Sequence, residues 1–287
     1  MASRNNYKKE DKLMYEEHND KFEEILPVVA KATPKTLVCD FDTLIYWTLV
    51  GYNEDKSKRE FTIEDLPELQ GKLSELVTGI FNKIESKFTL EKIYVFIRGN
   101  NNYRKSLYKE YKSNRPKKHF LTNHLYDWLK QTFEAIEVDG FEAEDACATW
   151  GWALKENCII AYCDHDILEV SETILYNYQK DIWLFNDVKE GLWQKYRKLV
   201  IGEAGDFANF TPQVGIKYFE TNFNKDFTVE EYEKQAFEAY LYAWADKTKV
   251  KNKTIRTLNL TKATEMFELA KKILWLANVN EELTKIN

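Results

Sequence analysis

The sequence predicts an α/β fold: a mainly parallel, doubly wound sheet followed by a helical lobe. Short apolar runs suited to buried strands recur at 36–42, 91–97, 135–138, 158–162 and 181–185, and segments of helical spacing alternate with most of them. Several runs end in carboxylates, where open α/β sheets place their sites. Residues 228–247 and 261–279 are amphipathic with no strand signal between them, so the chain closes in helices.

Residues 1–33 are charge-rich, and Leu13, Met14, Phe22, Ile25, Leu26 and Val29 fit either an amphipathic helix on the core or a loose extension. Pro34 ends this segment. Thr-Leu-Val-Cys-Asp-Phe-Asp at 36–42 is the first buried strand, 43–50 begins a buried helix, and 51–60 is a polar loop. Residues 66–88 carry Leu69, Leu73, Leu76, Val77, Ile80, Phe81 and Ile84 at helical spacing. The strand at 91–97 runs into Arg98-Gly99-Asn100. A helix at 121–133 and a strand at 135–138 deliver Gly140, and a helix over 146–155 leads to the strand 158–162. Residues 188–200 suit a helix with Leu192, Trp193 and Tyr196 inward. Thr228-Val-Glu-Glu is a capping box opening the next helix, which the Lys/Asn-rich stretch 247–253 joins to the last one.

At 287 residues with 44% hydrophobic content the chain can bury a large core, and 31% charged residues give it a polar surface. No apolar run approaches the ~20 residues that span a bilayer, and the polar start is not expected to be a secretory signal. Cys39, Cys147, Cys158 and Cys163 lack paired ligand spacing, so they are expected to be reduced thiols in a cytoplasmic protein. A net charge of −6 argues against indiscriminate nucleic-acid binding but allows a local basic patch.

Two acidic clusters flank one helix and one strand. Gly140-Phe-Glu-Ala-Glu-Asp145 opens the helix, and Cys163-Asp-His-Asp166 follows the strand. Alone, Glu142-Ala-Glu-Asp reads as a helix cap. Together the clusters bring five carboxylates to one edge of a sheet, where they repel unless a cation holds them. Hard oxygen donors suit Mg²⁺ or Mn²⁺. Between Arg98 and Lys118 the balance reverses: eight lysines and arginines face one acid, Glu110, with Tyr103, Tyr108 and Tyr111 interleaved. Cations for phosphates and rings for bases suit a strand of nucleic acid, whereas a solvated helix face mixes both signs.

The order of these features resembles the 5′-nuclease family of flap endonucleases and 5′→3′ exonucleases, and most of all its short bacteriophage-encoded members. Residues 104–115, Arg-Lys-Ser-Leu-Tyr-Lys-Glu-Tyr-Lys-Ser-Asn-Arg, are similar to the family's Arg…Tyr-Lys-x-Asn-Arg signature. Phe141-Glu-Ala-Glu-Asp145 stands for Tyr-Glu-Ala-Asp-Asp, Tyr162-Cys-Asp-His-Asp166 for Gly-Asp-Lys-Asp, and Gly202-Glu-Ala-Gly-Asp206 for Gly-Asp-x-x-Asp. Pro212, Gly215 and Lys217 keep the spacing of a helix–hairpin–helix. The resemblance spans residues 37–242 of the chain.

It implies an N-terminal extension at 1–35, a PIN-like core at 36–202 carrying a basic arch at 98–120, and a helical lobe at 203–287. It implies a hydrolase of DNA phosphodiesters at 5′ ends or flaps, or of RNA–DNA primers, dependent on Mg²⁺ or Mn²⁺ and serving phage replication beside other replication proteins. Asp40, Glu142, Glu144 and Asp145 are implied to hold one metal, and Asp164, Asp166, Glu203 and Asp206 a second. Arg104, Lys112 and Arg115 are implied to grip the scissile phosphate. Arg98, Lys105, Lys117, Lys118, Tyr103, Tyr108, Gly215 and Lys217 are implied to bind nucleic acid. The sequence departs from the family at Arg98, which replaces a metal-site Asp, at Glu203 for Asp, at Phe207, and at Gln213, which replaces the first hairpin glycine. Arg98 either pairs with Asp40, Glu142 or Glu144, or joins the phosphate grip. Two other readings are a branched-DNA binding protein that has lost catalysis and a PIN-like ribonuclease.

Overall fold

The computed structural model describes residues 33–52, 57–203, 209–250 and 253–279, together with Phe22 and Leu26. The chain forms two compact units: one from 1–101, 117–186 and 278–287, the other from 102–116 and 187–277.

The first unit is built on a six-stranded sheet of order β3-β2-β1-β4-β5-β6. Its strands are β1 (Lys35–Asp40), β2 (Leu90–Asn102), β3 (Ile136–Gly140), β4 (Cys158–Tyr162), β5 (Ile174–Asn177) and β6 (Ile182–Phe185). β2 and β4 both pair with β1 in parallel, β5 runs parallel to β4, and β6 returns antiparallel. From β1 the chain works outward to β3, then crosses back to lay β4 on the other side of β1. The strand order therefore reverses between β1 and β4, and that reversal opens a crevice at their carboxyl ends.

The central strands β1 and β4 are largely apolar because both faces of the sheet are covered there. Leu37, Val38 and Cys39 are each fully buried. Leu37, Cys39, Val95, Ile97, Ile159 and Ala161 share a core with α1 (Asp42–Thr48), α2 (Leu66–Glu85) and α4 (Thr122–Phe133). On the other face α5 (Ala143–Leu154) lies against β4, so close that a Cβ on Gly151 would stand 2.8 Å from Ile160 Cδ1. Phe22 is buried and stacks on Trp183 at 5.6 Å, and Leu26 packs against the same core. The rest of the amphipathic segment at 1–33 lies outside the described residues.

The second unit contains α3 (Tyr103–Leu107), α6 (Val188–Ile201), α7 (Ile216–Asn222), α8 (Val229–Ala243), α9 (Leu260–Leu274) and a hairpin of β7 (Asp246–Val250) and β8 (Lys253–Thr257). Tyr196 and Tyr232 stack at 4.8 Å in a core with Phe219, Tyr240 and Phe267. The expected capping box forms at α8: Glu231 N–H donates to Thr228 Oγ1 at 3.2 Å and Thr228 N–H donates to Glu231 Oε2 at 2.8 Å.

Two elements differ from the sequence reading. In the stretch 247–253, expected only to join two helices, residues 247–250 lie in β7 and Lys253 starts β8, and β5 was not anticipated. β5 is four residues long, too short for periodicity to register. The basic stretch 98–120 is divided, with 98–101 and 117–120 in the first unit and 102–116 in the second. Among the described residues no helix is long and apolar enough to cross a membrane.

β2 continues past Ile97 because Gly99 lets β3 approach. A Cβ there would lie 2.6 Å from Asp139 Cα and 2.7 Å from Val138 O, both backbone atoms. Gly99→Ala should therefore lower stability by about 1–3 kcal/mol, read as a lower urea midpoint at unchanged slope.

A candidate carboxylate site at the switch point of the sheet

Asp40 is the last residue of β1, and Asp164 follows the end of β4 by two residues, so the crevice between these strands receives both. Asp40 is 8% exposed, and its Oδ1 accepts the N–H of Asp42 at 3.0 Å. Burial pushes its carboxyl well above the usual range, and the neighbouring charges of Asp42, Asp164 and Glu142 push it further. Those four carboxylates thus share one field. Tyr178 closes the back of the group by donating its hydroxyl to the Asp40 carbonyl at 2.9 Å.

Asp42, two residues beyond the strand, is the hub that sequence reasoning missed. Its Oδ1 accepts the Arg98 N–H at 3.0 Å and the Tyr126 hydroxyl at 3.1 Å. Its Oδ2 lies 3.6 Å from Arg98 Nε. Burial raises the Asp42 carboxyl, and Arg98 pulls it back. The Arg98 guanidinium also donates to the Tyr46 hydroxyl and sits over the Tyr46 ring at 5.3 Å. Arg98 thus pairs with an acid, but with Asp42 instead of Asp40, Glu142 or Glu144. Its register decides this: β1 pairs Asp40 with Phe96, so Arg98 emerges level with Asp42.

The first turn of α5 presents Glu142, Glu144 and Asp145. Glu142 is half-buried at the N-cap, and Glu144 is 7% exposed. Asp145 is fully buried, and its Oδ2 accepts the Glu142 N–H at 3.0 Å, the bond that fixes the cap. That cap is the role read for Glu142-Ala-Glu-Asp taken alone. Asp164 is exposed, Asp166 is half-buried in the turn His165–Glu169, and Glu203 is half-buried past the end of α6. Asp206 and Phe207 lie outside the described residues. Burial and the Asp164 charge push the Cys163 thiol up to about 12, which leaves it protonated beside the acids. His165 Nε2 contacts Lys180 Nζ at 3.2 Å, a cation on the β5–β6 turn that the sequence did not single out. Among the described residues no three acid, Cys or His side chains stand converged as a finished metal cage. The donor set nevertheless fits a hard divalent cation, because oxygens predominate among the side chains gathered there.

The basic residues are placed more diversely than their clustering suggests. Arg104 is 2% exposed, and its Nε and Nη2 each donate at 3.0 Å, to the carbonyls of Ile273 and Trp275. These carbonyls end α9 and have no helical partner of their own. Arg104 is therefore spent on structure and is not presented to a phosphate. Tyr103 donates its hydroxyl to the Lys272 carbonyl at 2.9 Å, Tyr108 packs on Phe210 at 5.1 Å, and Tyr111 is buried, so these rings serve the core of the second unit. Lys105, Arg115, Lys117 and Lys118 are exposed. Lys112 has φ 55° and lies over the Tyr111 ring at 4.9 Å. Gly215 caps α7, whose first turn exposes Lys217. Gln213 adopts φ 72°, the left-handed backbone that explains a glycine at this position of the family motif.

No family model and no curated protein matches the sequence. In structure the chain is similar to the bacteriophage T5 flap endonuclease in a pseudo-enzyme-product complex with DNA and metal ions. The two share 14% identity over 88% of this chain and 92% of that one, with a TM-score of 0.51. A second T5 structure, co-crystallised with metal ions, gives 13% identity over 88% and 92% with a TM-score of 0.50. The fold is that of the 5′-nucleases. A 5′-nuclease fold places the six-stranded, mostly parallel sheet and its carboxyl-end crevice as the resemblance implied.

Two outcomes test this arrangement. Asp40→Asn should stabilise the metal-free protein near neutral pH, because burial and the neighbouring acids raise the Asp40 carboxyl. A carboxyl whose folded pKa is raised contributes stability below its unfolded pKa and loses it as pH rises through the folded value, so the gap should close in acid. Mg²⁺ or Mn²⁺ should raise the melting temperature of the wild type more than that of the variant. Separately, Arg104→Ala should cost about 2–4 kcal/mol in chemical denaturation, and Arg104→Lys should recover only part of it, since lysine lacks the planar fork whose Nε and Nη2 meet the two carbonyls.

Proposed function

We propose that the chain is a divalent-metal-dependent 5′-nuclease that hydrolyses phosphodiester bonds of DNA at 5′ ends or flaps. The observation that carries this reading is the carboxylate group at the β1/β4 switch point, where Asp40, Asp42, Glu142 and Asp164 share one field. In the proposal Asp40, Glu142, Glu144 and Asp164 hold Mg²⁺ or Mn²⁺, with Asp166 completing the oxygen ligands. When bound, the ion supplies activation of the attacking water and neutralisation of phosphate charge. Asp145 sets the Glu142 backbone, and Asp42 holds Arg98 at the rim. Lys112 and Arg115 grip the scissile phosphate, and Lys105, Lys117, Lys118 and Lys217 track the strand, while Arg104 braces the segment that carries them. RNA–DNA primers as a further substrate, replication proteins as partners, a phage origin and action in the host cytoplasm belong to the same reading.

Arg98 favours a second reading, a nuclease-like protein that binds branched DNA without cutting it, because a cation stands where the family motif has a metal-site carboxylate. Both are tested with 5′-labelled flap DNA and matched RNA. Release of labelled nucleotides in Mg²⁺ or Mn²⁺, none with chelator, and loss of release in Asp164→Asn are expected. Binding without release in any metal establishes the second reading, and cleavage confined to RNA establishes a PIN-like ribonuclease.

A further inference from the structure

On the outer side of Arg98, away from Asp42, lies a polar cavity of about 180 Å³ between the end of β2, α4 and β3. An engineered cavity of about 150 Å³ holds a benzene ring, so this one has room for a phosphate and its ester carbons. Arg98 reaches it already fixed by Asp42 and Tyr46, with its guanidinium also over the Tyr126 ring at 5.9 Å. Asn100 and Asn123 also line the cavity, and their amides make no hydrogen bond to the described residues. Lys118 adds a second charge at the mouth.

Asp127 and Glu137 line the cavity too, but Lys130 is clamped between them at 2.9 and 3.2 Å, so those carboxylates are engaged. With Asp42, which holds Arg98, the three cations meet three carboxylates, so the draw on an anion comes from directed donors and not from net charge. The wall offers no ring on which to stack a base, since Tyr126 is 7% exposed and its hydroxyl is held by Asp42. Convergent donors, a fixed guanidinium and no stacking face suit an anion better than a base. The close approach at Gly99 builds the floor, because any side chain there would press β3 and Glu137 outward.

We propose that this cavity is a phosphate subsite that takes one phosphate of a nucleic-acid strand, with the Arg98 guanidinium and the Asn100 and Asn123 amides as donors. The inference rests on the nuclease reading for its ligand, but the cavity can be tested apart from it. The full chain with chelator is titrated with short fluorescent single-stranded DNA, 5′-phosphorylated or 5′-hydroxyl, across a salt series. Asn123→Asp and Lys118→Gln should each weaken binding several-fold, and Lys118→Gln should flatten the salt slope by about 0.7. Asn123 is exposed in the first turn of α4, where aspartate suits the helix dipole, so its loss of affinity is not unfolding. A loss confined to the 5′-phosphorylated strand identifies a terminal phosphate, and an equal loss on both strands identifies an internal phosphodiester. Inorganic phosphate should shift the Asn100 side-chain amide signals of the wild type in NMR, and Asn123→Asp should abolish that shift. No shift at saturating phosphate, with both variants binding DNA as the wild type does, overturns the subsite and leaves the nuclease reading intact. A shift without DNA binding by the wild type supports the cavity as a phosphate site and overturns the nucleic-acid reading alone.

Discussion

Like charges brought together at the carboxyl ends of β1 and β4 are the constraint to which the rest of the first unit answers. Burial alone drives Asp40 toward protonation, and the fields of Asp42, Asp164 and Glu142 add to it. The chain meets part of this cost locally. The Asp42 N–H supports Asp40, while Arg98 and Tyr126 support Asp42. The mutual repulsion of Asp40, Asp42, Asp164 and Glu142 gives a divalent cation something to relieve. A site tuned only for the stability of the empty protein would replace Asp40 with a neutral side chain.

How much of this was legible in the sequence follows from what each signal is made of. Strands buried on both faces write themselves as apolar runs, so β1, β4 and the middle of β2, with the acids at the ends of β1 and β4, could be read directly. Which acid an arginine meets is not written that way. Arg98 and Asp42 lie 56 positions apart and are brought level only by the parallel register of β1 and β2. Read along the chain, Asp42 was the tail of a strand and Arg98 the start of a basic stretch. The β7–β8 hairpin was missed for a related reason, since its Lys- and Asn-rich composition imitates a loop.

Arg104 shows the limit from the other side. In composition it belongs to a run of cations that fits a phosphate backbone, yet its partners are main-chain carbonyls 169 and 171 positions away. A guanidinium is well suited to this, because it is planar, weakly hydrated and can donate to two acceptors at once. Charge clustering therefore predicts a basic surface only to the extent that each cation remains at the surface, and one of the motif's arginines does not.

Gln213 separates motif from geometry. A glycine at this position of the family hairpin is understood through the left-handed backbone it permits, and Gln213 holds φ 72° regardless. The left-handed conformation costs an ordinary residue about 1–2 kcal/mol, a strain that the surrounding contacts can absorb. Val214, buried at 5% exposure, and Phe210 at 2% flank the turn and pack it into the core of the second unit. Packing can thus hold a turn after its glycine is gone. The same reasoning applies to Arg98, with the opposite result: there the backbone course of β2 is kept while the charge at its end is reversed. A departure that packing absorbs leaves the chemistry of a site alone, and a departure in charge rewrites it.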